Sequence, residues 1–392
     1  MHIGFDVSQT GKDKAGCGYA AYSLVRALAS LPAADDDFML YASFGPYYWD
    51  TAAPAPEIAR LPRSKLVLKH SSFDEAEEFW RAYDARPVDE PLGAPDIVHS
   101  NNFFVPRVLQ GARLVYTLYD LSFLHHPEWH TEMNWATTFL GGVYYASLLA
   151  DGIVAISEHT RDDFLRFFPY FPRERIWAVP LASRFPIEGI KPRPPEPLSF
   201  SPREFWLAVG TLEPRKNYPL LLQAYAALVQ EYPDAFPLAI AGGQGWRTEY
   251  LQAMISSLGL DERVHLLGYV TDAELQWLYA NCFAFVYPSL FEGFGLPVLE
   301  AMSMGAAVIT SDATSLPEVA GDAALLVDPT SVADLAAAMK RLQEDKTLWS
   351  ELRKAAIERA SRFSWQKTAQ TVRAIYQEVI DLPKMSRPLL GV

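Results

Sequence analysis

The stretch from Tyr287 to Glu300 holds two glutamates, Glu292 and Glu300, around a pair of glycines, Gly293 and Gly295. It leaves an apolar run and enters a helix through Pro297, a favoured first-turn residue. Backbone N–H groups freed at such a loop and helix start attract an anion. Glu292 sits in the loop, and Glu300 lies just inside the helix, where it can project to the same place. The plain alternative is a strand-to-helix turn with two solvated glutamates. A second stretch, Gly210 to Asn217, contains Glu213, Arg215 and Lys216 and also follows an apolar run. If both runs are parallel strands of one sheet, both loops emerge at the same edge. The two cations then stand beside exposed helix N–H groups, and arginine can chelate phosphate oxygens bidentately. An Arg-Lys pair alone is usually a solvated corner. Joined to the glycine loop, it favours a small diphosphate site.

Other candidates are weaker. Gly16, Gly18 and Ala21 form a G-x-G-x-x-A pattern at the start of a helix, but the next apolar run, Phe38 to Ser43, lacks the closing acid of a dinucleotide site. A flexible glycine-edged loop fits better, and Cys17 reads as a small filler because no base is near it in sequence. His125, His126 and His130 with Glu128 suggest a metal set, yet their spacing fits no helical ligand pair and His126 precedes a proline. Histidines lining a binding loop are the better reading.

These residues need elements to position them. Beyond the proline-dense stretch Pro186 to Pro197, a stiff connector, six short apolar runs alternate with helical patterns. They are Phe205–Val209, Leu238–Ala241, Val264–Leu267, Phe283–Tyr287, Ala307–Thr310 and Ala324–Val327. Runs without polar alternation are buried on both faces, which predicts an α/β doubly wound parallel sheet. The N-terminal half repeats the pattern less regularly, with strands expected at Ile3–Val7, Phe38–Ala42, Leu66–Leu68, Ile97–His99, Leu114–Leu118 and Ile153–Ile156. Ser157 reads as the N-cap of a following helix. The most apolar segment, Phe139 to Ala150, is too short to span a bilayer and reads as a buried helix.

Composition narrows the partners. Half the residues are hydrophobic, so a large core is available, and 34 basic against 47 acidic residues leave a net charge of -13. That excludes an extended nucleic-acid surface and disfavours electrostatic docking on an anionic membrane. Two cysteines, the lack of a signal-like start and the lack of a transmembrane segment point to the cytoplasm, with peripheral contact at the inner face of the membrane left open.

Taken together, Phe291 to Pro297 with Glu300, Glu213 to Asn217, Gly305, Ser311, Ser315 to Val319 and Ala155 to Glu158 resemble retaining glycosyltransferase family four. The resemblance covers nearly the whole chain and is strongest from Phe205 to Pro329. It implies a GT-B fold: two Rossmann-like doubly wound domains facing across a cleft. The implied division is an acceptor-binding domain over 1–190, a linker over 191–202, a nucleotide-sugar domain over 203–363 and a C-terminal helix in 364–392 that crosses back. By resemblance, Arg215 and Lys216 bind the donor diphosphate. Glu292 and Glu300, the E-x7-E pair, meet the donor sugar and the ribose. Gly293, Phe294, Gly295 and Leu296 meet sugar and phosphates through their backbone. Gly16 and Gly18 lie near the diphosphate and acceptor, and Val270 lies near the base. No metal or other cofactor is implied.

One position departs from the family. Many relatives carry His-Asp after the strand matching Leu114 to Leu118, where this chain has Tyr119 and Asp120. Tyrosine can donate a hydrogen bond but cannot carry a proton at neutral pH, so the change points to donor choice, such as a sugar lacking a 6-hydroxyl. The implied reaction is retaining transfer of a hexose, mannose or a deoxyhexose on GDP favoured, to a glycan or lipid-linked saccharide. Two alternatives stay open: a glycoside hydrolase using Glu292 and Glu300, and a non-catalytic binding module. Tyr47, Tyr48, Trp49 and Trp129 are candidates to stack on an acceptor sugar.

Overall fold

In the computed structural model the chain divides into two compact units, Met1–Leu181 with Ser364–Val392, and Ala182–Phe363. The structure describes residues 1–8, 10–11, 14, 16–32, 35–43, 57–68, 72–101, 103–132, 135, 137–196, 200–243, 245 and 250–386.

The first unit is built on seven parallel strands: β1 (His2–Asp6), β2 (Asp37–Tyr41), β3 (Ser64–Leu68), β4 (Ile97–Asn101), β5 (Arg113–Leu118), β6 (Gly152–Ala155) and β7 (Ile176–Ala178). Their order is β3-β2-β1-β4-β5-β6-β7. The chain starts in the middle, builds outward to one edge, then returns past β1 to build the other. Six strands were legible as apolar runs. The short edge strand β7 was not, because three residues flanked by arginines and prolines carry no periodic signal. The helix Trp365–Asp381, capped by the Ser364 side chain, packs on this sheet and buries Val372, Ile375, Tyr376 and Val379 in the core with Ile3 and Phe5. Tyr376 Oη lies 2.5 Å from His99 Nδ1, while His99 Nε2 lies 2.6 Å from Thr117 Oγ1. Burial pushes His99 down to about 3, so it is a neutral core histidine.

The segment expected as a buried helix at Phe139 to Ala150 is a correction. Thr137–Val143 is a wide π-helical turn, and only Tyr144–Leu149 is α-helical. Leu140 and Tyr144 face solvent, 48% and 38% exposed, so one side of this apolar run is not in the core.

The second unit has six parallel strands: β8 (Trp206–Val209), β9 (Leu238–Ala241), β10 (Val264–Gly268), β11 (Ala284–Tyr287), β12 (Ala307–Ser311) and β13 (Leu325–Val327). Their order, β10-β9-β8-β11-β12-β13, again runs outward from the first strand in both directions. β8 and β11 therefore flank the point where the winding reverses, and ligands of such sheets bind outside the carboxyl ends of the strands at that point. The Arg215 loop follows β8 and the Glu292 loop follows β11. Helix Tyr218–Glu231 covers one face through Leu221, Leu222 and Tyr225, all fully buried.

Candidate active site

The loop after β8 makes a short 3-10 turn over Pro214–Lys216 and enters helix Tyr218–Glu231 through Asn217, whose φ of 59° is left-handed. Asn217 Nδ2 donates to the carbonyls of Pro288 and Pro329, 3.1 and 2.7 Å away, which ties this turn to the loops after β11 and β13. Leu290 N and Ser289 Oγ both donate to the Arg215 carbonyl, at 2.8 and 3.0 Å. The two loops are thus one bonded unit before any side chain meets a ligand.

Glu292 is at the centre. Arg215 Nη1 donates to its Oε2 at 2.8 Å, and Lys216 Nζ donates to its Oε1 at 2.6 Å. Tyr287 Oη and Ser289 Oγ add hydrogen bonds to Oε1 at 2.8 and 2.7 Å. Arg215 also holds Glu213 through Nη2 at 2.7 Å. Burial alone would raise the Glu292 carboxyl, but the charges of Arg215 and Lys216 outweigh it and hold the group at about 2. Glu292 is therefore ionised at any working pH and is an acceptor, not a proton donor. Its backbone is fixed as well: Thr314 Oγ1 accepts from Glu292 N, and Ser315 Oγ donates to its carbonyl.

The loop then reaches helix Leu296–Ser303 through Gly293, Phe294 and Gly295. Gly295 has φ 103°, a conformation open to glycine, and a Cβ there would stand 2.7 Å from Leu316 Cδ2. Phe294 is buried with its ring edge-on to Phe363. Leu296 and Pro297 open the helix, and Val298 N and Leu299 N both donate back to the Gly295 carbonyl, at 3.0 and 3.2 Å.

Glu300 belongs to a different network. Arg184 Nε donates to its Oε1 at 2.8 Å and Tyr279 Oη to its Oε2 at 3.2 Å. Arg184 Nη1 also reaches Asp272 Oδ1 at 2.8 Å. Burial raises the Glu300 carboxyl, and Arg184 offsets part of that rise. Val270 is half-buried, just ahead of the helix Asp272–Asn281.

In the first unit, Gly16 and Gly18 lie in the opening turn of helix Gly16–Ala29, with Gly18 buried and Gly16 exposed. They are helical residues rather than part of a flexible loop. Tyr119 is buried, and its hydroxyl donates to the Cys17 carbonyl at 3.2 Å, bracing that helix start. Burial raises its pKa well above the ordinary value, so the hydroxyl keeps its proton. Asp120 accepts from Ser122 N and Ser122 Oγ at 3.0 and 2.7 Å. The three histidines have separate partners: His125, closing the short helix Ser122–His125, meets Asp163 at 2.8 Å, His126 meets Glu128 at 3.0 Å, and His130 meets Ser122 Oγ at 3.2 Å. Among the described residues, no three such groups gather as a metal set. Trp129 stacks on His126 at 3.7 Å, while Tyr47, Tyr48 and Trp49 lie outside the described residues.

Sequence reading missed three residues that shape the site. Arg184 sits in a segment with no motif, and nothing local marks it as the partner of Glu300. Gly242 and Gly245 follow β9 and let that loop press against the loop after β8. Here a signal existed, since Gly-Gly-x-Gly after an apolar run marks close backbone approach. Replacing Arg184 by alanine should leave Glu300 buried without its cation and push its pKa further up. Nucleotide binding that needs the carboxylate should then weaken at acid pH and recover as pH rises, whereas the parent chain shows a flatter profile. Titrating nucleoside diphosphate at several pH values checks this, and parallel profiles would refute it.

The family described as glycosyl transferases group 1 matches residues 192–363. The O-antigen chain mannosyltransferase B of Escherichia coli is 38% identical over 288 residues, covering 71% of this chain and 73% of the relative. The MMP alpha-(1->4)-mannosyltransferase of Mycolicibacterium hassiacum is 29% identical over 357 residues, 83% of each chain. Among solved structures, Anabaena HepE in complex with UDP and glucose matches 96% of this chain and 100% of its own, with a TM-score of 0.72. At 19% identity that likeness speaks for the fold alone. With two parallel doubly wound sheets and a cation-glutamate array at the switch point of the second, this chain belongs to the group 1 glycosyl transferases and has their GT-B fold of two Rossmann-like domains.

Proposed function

We propose that the chain is a retaining mannosyltransferase of polysaccharide biosynthesis. It takes mannose, or a related deoxyhexose, from a nucleoside-diphosphate sugar with GDP favoured, and passes it to a glycan or lipid-linked saccharide. The observation that carries this reading is the convergence of Arg215 and Lys216 on the two oxygens of Glu292 at the switch point of the sheet. A diphosphate placed there shares the two cations and the adjoining helix N-terminus. Glu292 keeps Tyr287 and Ser289 as donors, so its carboxylate stays ionised and oriented to accept from sugar hydroxyls. Glu300, steadied by Arg184, accepts from the ribose hydroxyls. The mannosyltransferase names of the two relatives support the choice of sugar.

In the step itself, the acceptor oxygen bonds to the anomeric carbon on the face that the diphosphate leaves. The carbon–phosphate-oxygen bond breaks, and the acceptor proton passes to the departing phosphate oxygen. Arg215 and Lys216 stabilise the charge that develops there, which is the kind of preorganised electrostatic work that dominates most enzyme rate enhancements. No metal is needed in this scheme. Among the described residues no helix is long and apolar enough to cross a membrane. We place the work at the cytoplasmic side, where nucleotide sugars are supplied.

The test is a donor panel of GDP-mannose, GDP-fucose, UDP-glucose and UDP-N-acetylglucosamine with a mannose-terminated acceptor, with and without chelator. We expect a GDP-sugar to be turned over best, with an unchanged rate in chelator and an α-linkage from an α-donor by NMR. An inverted product, or donor hydrolysis without any transfer, would refute the proposal.

A further inference from the structure

Among the described residues, five other than glycine have positive φ: Arg63, Ala94, Arg203, Asn217 and Thr314. Asparagine tolerates that region because its short side chain bonds locally. Thr314, with φ 53°, is the one β-branched residue of the five, and for such a side chain this backbone is an outlier. It stands in the loop after β12, in a turn closed by Leu316 N donating to the Ala313 carbonyl at 3.2 Å. Ser315, the next residue, has φ -85° and ψ -8°. A positive φ at the first central position, followed by a negative one, is the type II′ pattern, which glycine dominates. The turn alone therefore asks for glycine at 314. Strain of this kind persists where the surrounding structure over-determines it, often at functional sites.

What threonine adds over glycine is a hydroxyl. Its Oγ1 accepts from Glu292 N at 3.0 Å, and Ser315 Oγ, on a fully buried residue, donates to the Glu292 carbonyl at 2.8 Å. The two central residues of the turn thus hold Glu292 by both of its backbone groups. The turn is anchored in its own right by Asp312 N, which donates to the Val327 carbonyl at 2.8 Å. Glu292 needs such a hold because Gly293 and Gly295 follow it, and glycine has the widest backbone freedom. Ahead of it, Leu290 N is tied to the Arg215 carbonyl. Between that tie and the glycines, the Glu292 peptide decides where the side chain is aimed. Its carboxylate meets Arg215 and Lys216 on separate oxygens, at 2.8 and 2.6 Å, a geometry that a rotated backbone would lose.

We propose that Thr314 is a positioning residue, kept in a glycine conformation so that its hydroxyl can fix the Glu292 backbone and aim the carboxylate at the two cations. It acts through Glu292. The proposal deepens the glycosyltransferase reading and rests on it for the effect on turnover, while the hold on the Glu292 amide stands without it. Two variants separate the hydroxyl from the strain. Thr314→Gly suits the turn and removes the hydroxyl, and Thr314→Ser keeps the hydroxyl without the branch. The full chains are compared by hydrogen exchange at the Glu292 amide, by thermal melting and by turnover of GDP-mannose with a mannose-terminated acceptor.

One hydrogen bond is worth roughly two- to tenfold in an equilibrium. We expect the Glu292 amide of Thr314→Gly to exchange faster by that factor and kcat to fall about tenfold, with a melting temperature close to the parent's. Thr314→Ser restores both. In a Glu292→Ala background, Thr314→Gly costs no further turnover, because the carboxylate it aims is gone. Parent-like exchange and turnover in Thr314→Gly overturn the proposal. So does an equal loss of turnover in the Glu292→Ala background, or a lowered melting temperature that serine does not restore, since either marks a merely structural turn. If even the parent chain turns over no GDP- or UDP-sugar while exchange changes as expected, the hold on Glu292 stands and the transferase reading falls.

Discussion

Glu292→Ala is expected to lower kcat/KM by about 10²–10³, the usual cost of removing one preorganised electrostatic contact, and to destabilise the free protein as well. Glu292 is the shared counter-ion of Arg215 and Lys216, all three largely buried, with side-chain exposures of 9%, 18% and 10%. Removing one partner of a buried pair costs roughly 3–5 kcal/mol because a charge is left behind without compensation. The proton linkage agrees in size: a carboxylate held at about 2 rather than 4.5 contributes on the order of 3 kcal/mol. Because the folded-state value is depressed, this contribution is present above pH 4.5 and is lost as pH falls towards 2. A nucleoside diphosphate can take over as counter-ion. Added GDP should therefore raise the melting temperature of Glu292→Ala more than that of the parent chain. Thermal denaturation with and without GDP measures both effects. Parent-like stability in the nucleotide-free variant would show that the cations do not depend on this carboxylate.

Gly242→Ala should do comparable damage from a residue that has no side chain. Its Cβ would stand 1.9 Å from the Gly210 carbonyl oxygen and 2.6 Å from the Gly210 carbonyl carbon. Those are backbone atoms and cannot rotate away. Both chains are also pinned, Gly210 N to the Ala241 carbonyl at 2.9 Å and Gly242 N to the Gly268 carbonyl at 2.8 Å. The loop after β8 must move by more than an ångström, and it carries Arg215 and Lys216. Overpacking of this kind costs about 1–3 kcal/mol, and an ångström of misplacement at a reacting centre can cost about a hundredfold in rate. Gly243→Ala is the control, since a Cβ there meets nothing within 4 Å. If the two alanine variants turn over donor equally well, the close approach of these loops does not hold the site.

Fold class was legible because burial leaves a local record. Val308 and Ile309 on β12, or Ile3 and Phe5 on β1, are apolar because the sheet is covered on both sides, and that pressure acts on each residue in place. The same logic failed at Phe139 to Ala150. There an apolar run turns Leu140 and Tyr144 to solvent, and hydrophobicity alone does not say which side meets water. At β7 the strand is too short for any period to form.

For the site, the chain by itself determined which residue types stand near which loops: Arg215 and Lys216 after one strand, Glu292 and the glycines after another, Glu300 one turn into a helix. Tertiary structure alone decided who pairs with whom. Glu292 meets Lys216 across 76 residues of sequence, and Glu300 meets Arg184 across 116. Two glutamates eight residues apart thus enter separate networks, one held ionised by two cations and the other raised by burial. Tyr119, alike, turned out to brace the Cys17 carbonyl. The physical reason is that sheet order, which places β8 beside β11, brings together groups that no local spacing records. A side chain's charge state is then set by those neighbours and by the water they exclude.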